Sequence, residues 1–112
     1  PEEGNHRIDF SPNGRYFVDT WSKIDEPPTT VLRAANGNVI RRLEQADVSG
    51  IEALGWRKGQ VFTVKARDGV TDLYGVLYLP PNVDSTKKYP ILDHIYPGPQ
   101  VGSVGQWSFK SG

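Results

Sequence analysis

Tyr96 is the residue whose type and position are best suited to chemistry. It ends an apolar, β-branched run, Ile-Leu-Asp-His-Ile-Tyr, at residues 91–96. A Pro-Gly-Pro corner follows, where proline cannot join a sheet ladder and glycine permits a positive φ. We therefore expect a strand that ends at Tyr96 and projects its phenol into a cleft, where the O–H can donate to a developing negative charge. The same position also suits a tyrosine that packs its ring and hydrates its hydroxyl.

The residues with which a catalytic serine would hydrolyse a substrate do not accompany Tyr96 in this sequence. A nucleophilic serine needs a sharp Gly-x-Ser-x-Gly elbow and a histidine base that a carboxylate orients. No Gly-x-Ser-x-Gly occurs, and Ser103 in Gly-Ser-Val lacks the second glycine, which favours a flexible loop. On the expected strand His94 shares a face with Tyr96, whereas Asp93 faces the opposite side, so His94 and Asp93 are not expected to form a dyad.

The sequence predicts neither a metal site nor a cofactor. Cysteine is absent, and the two histidines, His6 and His94, lie far apart in the sequence. A hydrogen-bonded structural histidine is therefore favoured over a metal ligand. Asp68 and Asp72 flank a loop that could hold a cation, but turn chemistry accounts for Asp68 and solvation for Asp72.

Charge and hydropathy exclude two classes of partner. Thirteen basic and thirteen acidic residues balance along the 112 residues without blocks of either sign, which argues against nucleic acid and anionic membranes. No apolar run approaches the length that spans a bilayer. Because the chain begins with proline and contains no methionine, we expect it to be a segment of a longer protein.

Turn signals divide the chain into short elements. Ser-Pro-Asn-Gly at residues 11–14, Asn-Gly at 36–37 and Asp-Gly at 68–69 each predict a hairpin. Asp47 can cap a short helix through Val48, Ile51 and Leu54, and Gly55 can end it. The predicted strands cover residues 6–9, 16–21, 29–33, 39–43, 61–66, 73–79 and 91–96.

Three motifs, taken in order, resemble one family. They are Phe-Ser-Pro-Asn-Gly-Arg-Tyr at 10–16, Asp-Glu-Pro-Pro-Thr-Thr at 25–30, and Lys-Lys-Tyr-Pro at 87–90 followed by Tyr-Pro-Gly-Pro-Gln at 96–100. This series resembles the dipeptidyl peptidase IV branch of the prolyl oligopeptidase family. The resemblance implies a mainly β chain: the last β-propeller blade at 1–46, a linker with a short helix at 47–60, and the first antiparallel strands of an α/β-hydrolase domain at 61–112.

The resemblance also implies a function. The longer protein would release Xaa-Pro or Xaa-Ala dipeptides from the N-termini of peptide substrates, in the periplasm or outside the cell. Tyr96 would lend its hydroxyl to the oxyanion hole, and the catalytic serine, aspartate and histidine would lie beyond residue 112. The family's substrate-gripping glutamate pair belongs to an earlier propeller segment, so Glu2 and Glu3 lie in the wrong place for that role.

Two further expectations concern association. A non-enzymatic β module for protein or sugar binding is the alternative, suggested by three tryptophans and five tyrosines among short strands. We also expect the chain by itself to self-associate, because strands made for burial would present open edges and apolar faces to water. Exchange of the C-terminal segment about a hinge at residues 56–60 is one route to such association.

Overall fold

The structure is a computed structural model that describes residues 2–95 and 108–110. Within these residues the chain is mainly β, with six antiparallel strands in two sheets and one short helix. The mainly β class that the sequence predicts is therefore confirmed. No helix in this part of the chain is long and apolar enough to cross a membrane.

Four strands form the first sheet, in the same order as in the chain. Each pairs antiparallel with the next, as short hairpin connections require. Their bounds are β1 Asn5–Phe10, β2 Tyr16–Ser22, β3 Thr29–Ala34 and β4 Val39–Gln45. The register between β3 and β4 shifts at two places, which disrupts the ladder of this edge strand. All four predicted strands are confirmed, with small differences at their ends.

Glycines with positive φ close both outer hairpins of this sheet. Gly14 has a φ of 65°, and its N–H donates to the Ser11 carbonyl oxygen at 2.9 Å. Gly37 has a φ of 89°, and its N–H donates to the Ala34 carbonyl oxygen at 2.8 Å. Glycine adopts these left-handed conformations without the steric cost of a Cβ. The two turns predicted from the sequence are confirmed.

The linking helix, α1, covers Ser49–Ala53 and is shorter than the sequence predicts. Asp47 Oδ1 accepts a hydrogen bond from the Ser49 N–H at 2.9 Å, and this bond lowers the pKa of Asp47. Asp47 therefore contacts the start of the helix, but the capping position predicted for it is occupied by Val48, which has no side-chain cap hydrogen bond. Gly55 follows the helix with a φ of 86°, which confirms the predicted stop.

A hairpin of β5 Gln60–Lys65 and β6 Asp72–Leu77 forms the second sheet. Its register is regular from one end to the other. Asp68 organises the turn, because its Oδ1 accepts the N–H groups of Val70 and Thr71, both at 2.9 Å. The turn role predicted for Asp68 is therefore confirmed.

Asp72 has a partner that the sequence did not suggest. Its Oδ1 lies 2.7 Å from Lys65 Nζ, across the hairpin. Solvation alone was the wrong interpretation of this residue. Both side chains are substantially exposed, so the ion pair contributes little to stability.

Gly75 allows the ring of Phe62 to lie across the second sheet. The two residues are directly paired between β5 and β6. A Cβ placed on Gly75 would overlap Phe62 Cζ and lie 2.7 Å from Phe62 Cε1, well inside van der Waals contact. Any side chain at position 75 must therefore displace the aromatic ring.

We expect Gly75→Ala to destabilise the β5–β6 hairpin, although alanine is normally preferred to glycine within a strand. Displacement of the ring should cost about 1–3 kcal/mol, as overpacking does in other proteins. Gly50→Ala is a matched control, because a Cβ at that position in α1 meets nothing within 4 Å. Hydrogen exchange of the β5 and β6 amides measures the effect. Unchanged protection in Gly75→Ala would contradict it.

The apolar core is small. Among the described residues, Ile24 and Val31 are the buried hydrophobic side chains, at 5% and 3% exposure. Ile24 lies in the loop after β2 and packs beside the start of the second sheet: a Cβ on Gly59 would lie 3.1 Å from Ile24 Cγ2 and 2.8 Å from Val76 Cγ1. The connection that the sequence suggested as a hinge is therefore tightly packed at Gly59.

A short segment from the C-terminal end of the chain also packs against this region. The Phe109 N–H donates to Ser22 Oγ at 3.2 Å, and its ring centroid lies 5.5 Å from that of Trp56. The contact joins the end of β2 to the residues that follow α1.

The prediction of a strand that leads into Tyr96 is wrong for the residues that the structure describes. Residues 88–95 form no strand, and Ile91 and Leu92 are 91% and 94% exposed. A β-prone sequence becomes a strand when another strand completes its backbone hydrogen bonds. Within residues 2–95, β5 and β6 pair with each other, and neither takes this segment as a partner.

Candidate functional site

Tyr96, the predicted oxyanion donor, lies outside the described residues, as do the corner at 97–99 and Ser103. Their roles stay predictions. His94 and Asp93 are described, and both are exposed in the irregular segment before Tyr96. The assignment of these two side chains to opposite faces depended on a strand, so it does not apply.

Four charged side chains meet on one face of the first sheet. We call this group the charged cluster, and its members are Glu2, His6, Asp19 and Arg33. Strand register brings three of them together. Phe17, Asp19 and Trp21 alternate along β2 and so share one face. His6 of β1 lies opposite Trp21, and Arg33 of β3 lies opposite Phe17. Directly opposed residues and next-but-one residues share a face of an antiparallel sheet.

Asp19 is the centre of the charged cluster and is 2% exposed. Its Oδ1 lies 2.7 Å from His6 Nδ1, and its Oδ2 accepts a hydrogen bond from Arg33 Nε at 2.8 Å. Arg33 also donates from Nη1 to the Gly37 carbonyl oxygen at 3.0 Å and from Nη2 to the Glu2 carboxylate. Both Asp19 oxygens are therefore paired with cationic donors, which offsets the cost of removing the carboxylate from water.

Both ring nitrogens of His6 face hydrogen-bond acceptors, which favours the protonated imidazole. Its Nδ1 faces the Asp19 carboxylate, and its Nε2 lies 2.8 Å from the Glu2 carbonyl oxygen. Because both partners are acceptors, the ring satisfies both contacts by donating from both nitrogens. Burial is the largest single influence and lowers the pKa of His6, but the hydrogen bonds to Asp19 and to the Glu2 carbonyl outweigh it. The pKa of His6 is raised above its ordinary value of 6.5.

The charges at the edge of the cluster are stabilised in the same way. Burial opposes the charge of Arg33, but its hydrogen bonds to Glu2 and Asp19 raise the pKa of this guanidinium. The pKa of the Glu2 carboxylate is lowered, first by a hydrogen bond from the Glu2 backbone and next by the hydrogen bond from Arg33. When His6 is protonated, the charged cluster therefore contains two cations and two carboxylates, with no net charge.

Trp21 covers the two cationic groups. The His6 ring stacks on it with centroids 5.7 Å apart and planes inclined by 16°. The Arg33 guanidinium carbon also lies 5.7 Å from the centre of a Trp21 ring. The negative face of an indole attracts cations at this separation, so Trp21 adds to the stability of the cluster.

The Asp19–His6 pair has the hydrogen bond that orients a catalytic histidine, but it is not arranged for acid–base work. In a serine hydrolase the second ring nitrogen faces the nucleophile's hydroxyl. Here Nε2 is engaged with the Glu2 backbone carbonyl. Among the described residues every buried side-chain nitrogen and oxygen has a partner. The geometry supports a structural role for the cluster.

A shallow groove of about 180 Å³ lies beside His6 and Trp21, with Pro28 and Ser108 on its other sides. Pockets that hold small molecules usually have volumes of about 300–1,000 Å³. The groove is too small to define a ligand site.

Sequence reasoning missed the charged cluster. It rejected Glu2 for a substrate-binding pair, gave Asp19 no role, and favoured a hydrogen-bonded structural histidine without naming its partner. One local signal was available: Asp19 lies within Phe-Val-Asp-Thr-Trp, and aspartate is depleted in strands. A carboxylate on an apolar strand requires a partner, but the pattern does not say which residue supplies it.

No protein-family model matches the chain. In the ranges 2–95 and 108–110, no group of three or more histidine, cysteine, aspartate or glutamate side chains is arranged to hold a metal ion. Inference about function therefore rests on the motif series and on the geometry of the described residues.

Proposed function

We propose that this chain is part of a serine exopeptidase that releases Xaa-Pro or Xaa-Ala dipeptides from the N-termini of peptides. The observation that carries the proposal is the ordered series of three motifs at residues 10–16, 25–30 and 87–100, which resembles the dipeptidyl peptidase IV branch of the prolyl oligopeptidase family. The most specific of them is Tyr-Pro-Gly-Pro-Gln, which begins at Tyr96. By the same resemblance, the longer protein acts in the periplasm or outside the cell.

The order of elements supports this division of the chain. Four antiparallel strands in sequential order, as in β1 to β4, are the arrangement of one propeller blade. A short helix and an antiparallel hairpin follow. We assign residues 1–46 to the last blade, 47–60 to the linker and 61–112 to the start of the hydrolase domain.

Tyr96 has one role in this proposal: its hydroxyl donates a hydrogen bond to the oxyanion of the tetrahedral intermediate. The nucleophile, its base and the orienting carboxylate come from later parts of the longer protein. The 112-residue chain supplies a donor and no group that attacks the carbonyl.

The test compares the chain with the longer protein. We expect a Gly-Pro amide reporter to be cleaved by the longer protein and left intact by the purified 112-residue chain. A Gly-x-Ser-x-Gly elbow should occur within about a hundred residues after position 112, because the nucleophile must follow the first strands of the hydrolase domain. A longer protein without that elbow and without reporter cleavage would contradict the proposal.

The second candidate function is a β-rich binding module with no catalytic role. The exposed aromatic and apolar side chains of the second sheet favour it, since such residues serve recognition surfaces. In this case the chain would be a stable unit by itself. Under the exopeptidase proposal, in contrast, the sheets of this chain are completed by strands from the rest of the longer protein.

Self-association distinguishes the two candidates. We expect the isolated chain to associate through the second sheet. Its strand β5 pairs in a regular register and has no charged residue at its centre, and Val61 and Phe62 are largely exposed. A two-stranded hairpin has little stability alone, so a further strand from another copy is favourable. Light scattering behind a sizing column at several concentrations measures the mass. A concentration-independent monomer would favour the binding module.

A further inference from the structure

We propose that His6 is a proton-dependent latch for residues 2–4, the segment that precedes β1. When the imidazole is protonated it holds this segment against the first sheet, and when it is neutral it releases the segment. The inference rests on the contacts of the two ring nitrogens and does not depend on the exopeptidase proposal.

The first step is that the two nitrogens join different parts of the chain. His6 Nδ1 contacts Asp19 on β2 at 2.7 Å, and His6 Nε2 contacts the Glu2 carbonyl oxygen at 2.8 Å. The ring therefore bridges the interior of the sheet and the backbone of the preceding segment. The segment passes close to β2, because a Cβ on Gly4 would lie 3.0 Å from the Ser22 carbonyl oxygen.

The second step is that a neutral ring can satisfy only one of these acceptors. A neutral imidazole has one N–H, so its other nitrogen presents a lone pair to an acceptor. Asp19 is 2% exposed and cannot exchange its partner for water, whereas Glu2 is exposed and can. The proton therefore stays between His6 and Asp19, and the contact with the Glu2 carbonyl is lost.

The third step concerns the other charges that face His6. Asp19 comes from β2, Arg33 from β3, and Glu2 from the segment itself. The positive charge of Arg33 opposes protonation of His6, and the Asp19 carboxylate favours it. After release, the ion pair of Arg33 with the Glu2 carboxylate still joins the Glu2 side chain to the sheet, so the release concerns the backbone of residues 2–4.

The direction of the pH effect follows from the raised pKa of His6. A group whose pKa is higher in the closed arrangement contributes its stability fully below its ordinary value, here 6.5. That contribution is lost as the pH rises through the raised value. The segment is therefore held under mildly acidic conditions and released at higher pH.

An NMR titration tests the latch, since the chain has two histidines and His94→Gln assigns the resonances of both. We expect His6 to titrate above its ordinary value of 6.5. The protection factor of the Asn5 amide, where β1 begins opposite Ser22, should fall roughly two- to tenfold with the midpoint of His6, the equivalent of one hydrogen bond. In the His94→Gln control this fall should remain.

The variant His6→Gln removes the titration and keeps a side chain that can donate to Asp19. In this variant the protection of the Asn5 amide should be low and independent of pH. The proposal is overturned if His6 titrates below its ordinary value of 6.5, or if the protection of Asn5 is unchanged through the His6 titration. Retention of the pH-dependent fall in His6→Gln would also overturn it.

Discussion

Arg33→Met should lower the free energy of unfolding by about 3–5 kcal/mol, the loss that follows when one partner of a buried ion pair is removed. Arg33 is 5% exposed and makes the 2.8 Å contact with Asp19 Oδ2. Methionine fills much of the space of the arginine stem but leaves that oxygen without its donor. Since small domains have a total stability of about 5–15 kcal/mol, the first sheet should be severely weakened.

Urea unfolding followed by tryptophan fluorescence measures this loss, because Trp21 lies against the charged cluster. Arg7→Met is the matched control: Arg7 is on the same sheet, and its ion pair with Asp9 is exposed, at 83% and 67% for the two side chains. We expect that control to change stability by about 0–1 kcal/mol. Equal losses in the two variants would show that the charged cluster contributes no more than a surface pair.

A double-mutant cycle then identifies the source of the loss. If the cost of Arg33→Met comes from the unpaired Asp19 carboxylate, Asp19→Asn in the same chain should recover part of it, because the amide carries no charge. The two substitutions should therefore cost less together than the sum of each alone. Strict additivity would mean that the two side chains stabilise the sheet independently.

Under the exopeptidase proposal, Tyr96→Phe in the longer protein should lower kcat by about 10²–10³, the effect of removing one oxyanion donor. Phenylalanine keeps the ring and removes the O–H, so substrate binding and folding should change much less than the chemical step. Steady-state kinetics with a Gly-Pro amide substrate measures the effect. Near-normal kcat in a folded Tyr96→Phe enzyme would identify Tyr96 as a packing residue.

Tyr89→Phe is the matched control for that experiment. Tyr89 is seven residues before Tyr96, and its hydroxyl oxygen accepts the Asp84 N–H at 2.9 Å in a surface loop. Loss of this exposed hydrogen bond should reduce local stability slightly and leave kcat unchanged. A similar fall in kcat in both variants would indicate that loop structure, and not an oxyanion contact, controls the rate.

The irregular segment before Tyr96 shows where prediction from the sequence fails. Residues 91–95 have the composition of a strand, and the sequence predicts one, yet Ile91 and Leu92 are almost fully exposed. Strand propensity mainly reflects packing against neighbouring strands and faces. The composition of the segment cannot supply those neighbours, so it does not decide whether the strand forms.

The sequence by itself determined the two hairpins at residues 11–14 and 36–37, the short helix after Asp47, and the pairing of β5 with β6. These features depend on local chemistry: the φ of a glycine, a carboxylate that accepts nearby N–H groups, and alternation with a period of two. Only the tertiary structure decided the charged cluster. Glu2, His6, Asp19 and Arg33 come from four separate parts of the chain, and the strand register brings them within hydrogen-bond distance. A carboxylate can be buried only where its partners converge, and that convergence is a property of the folded sheet.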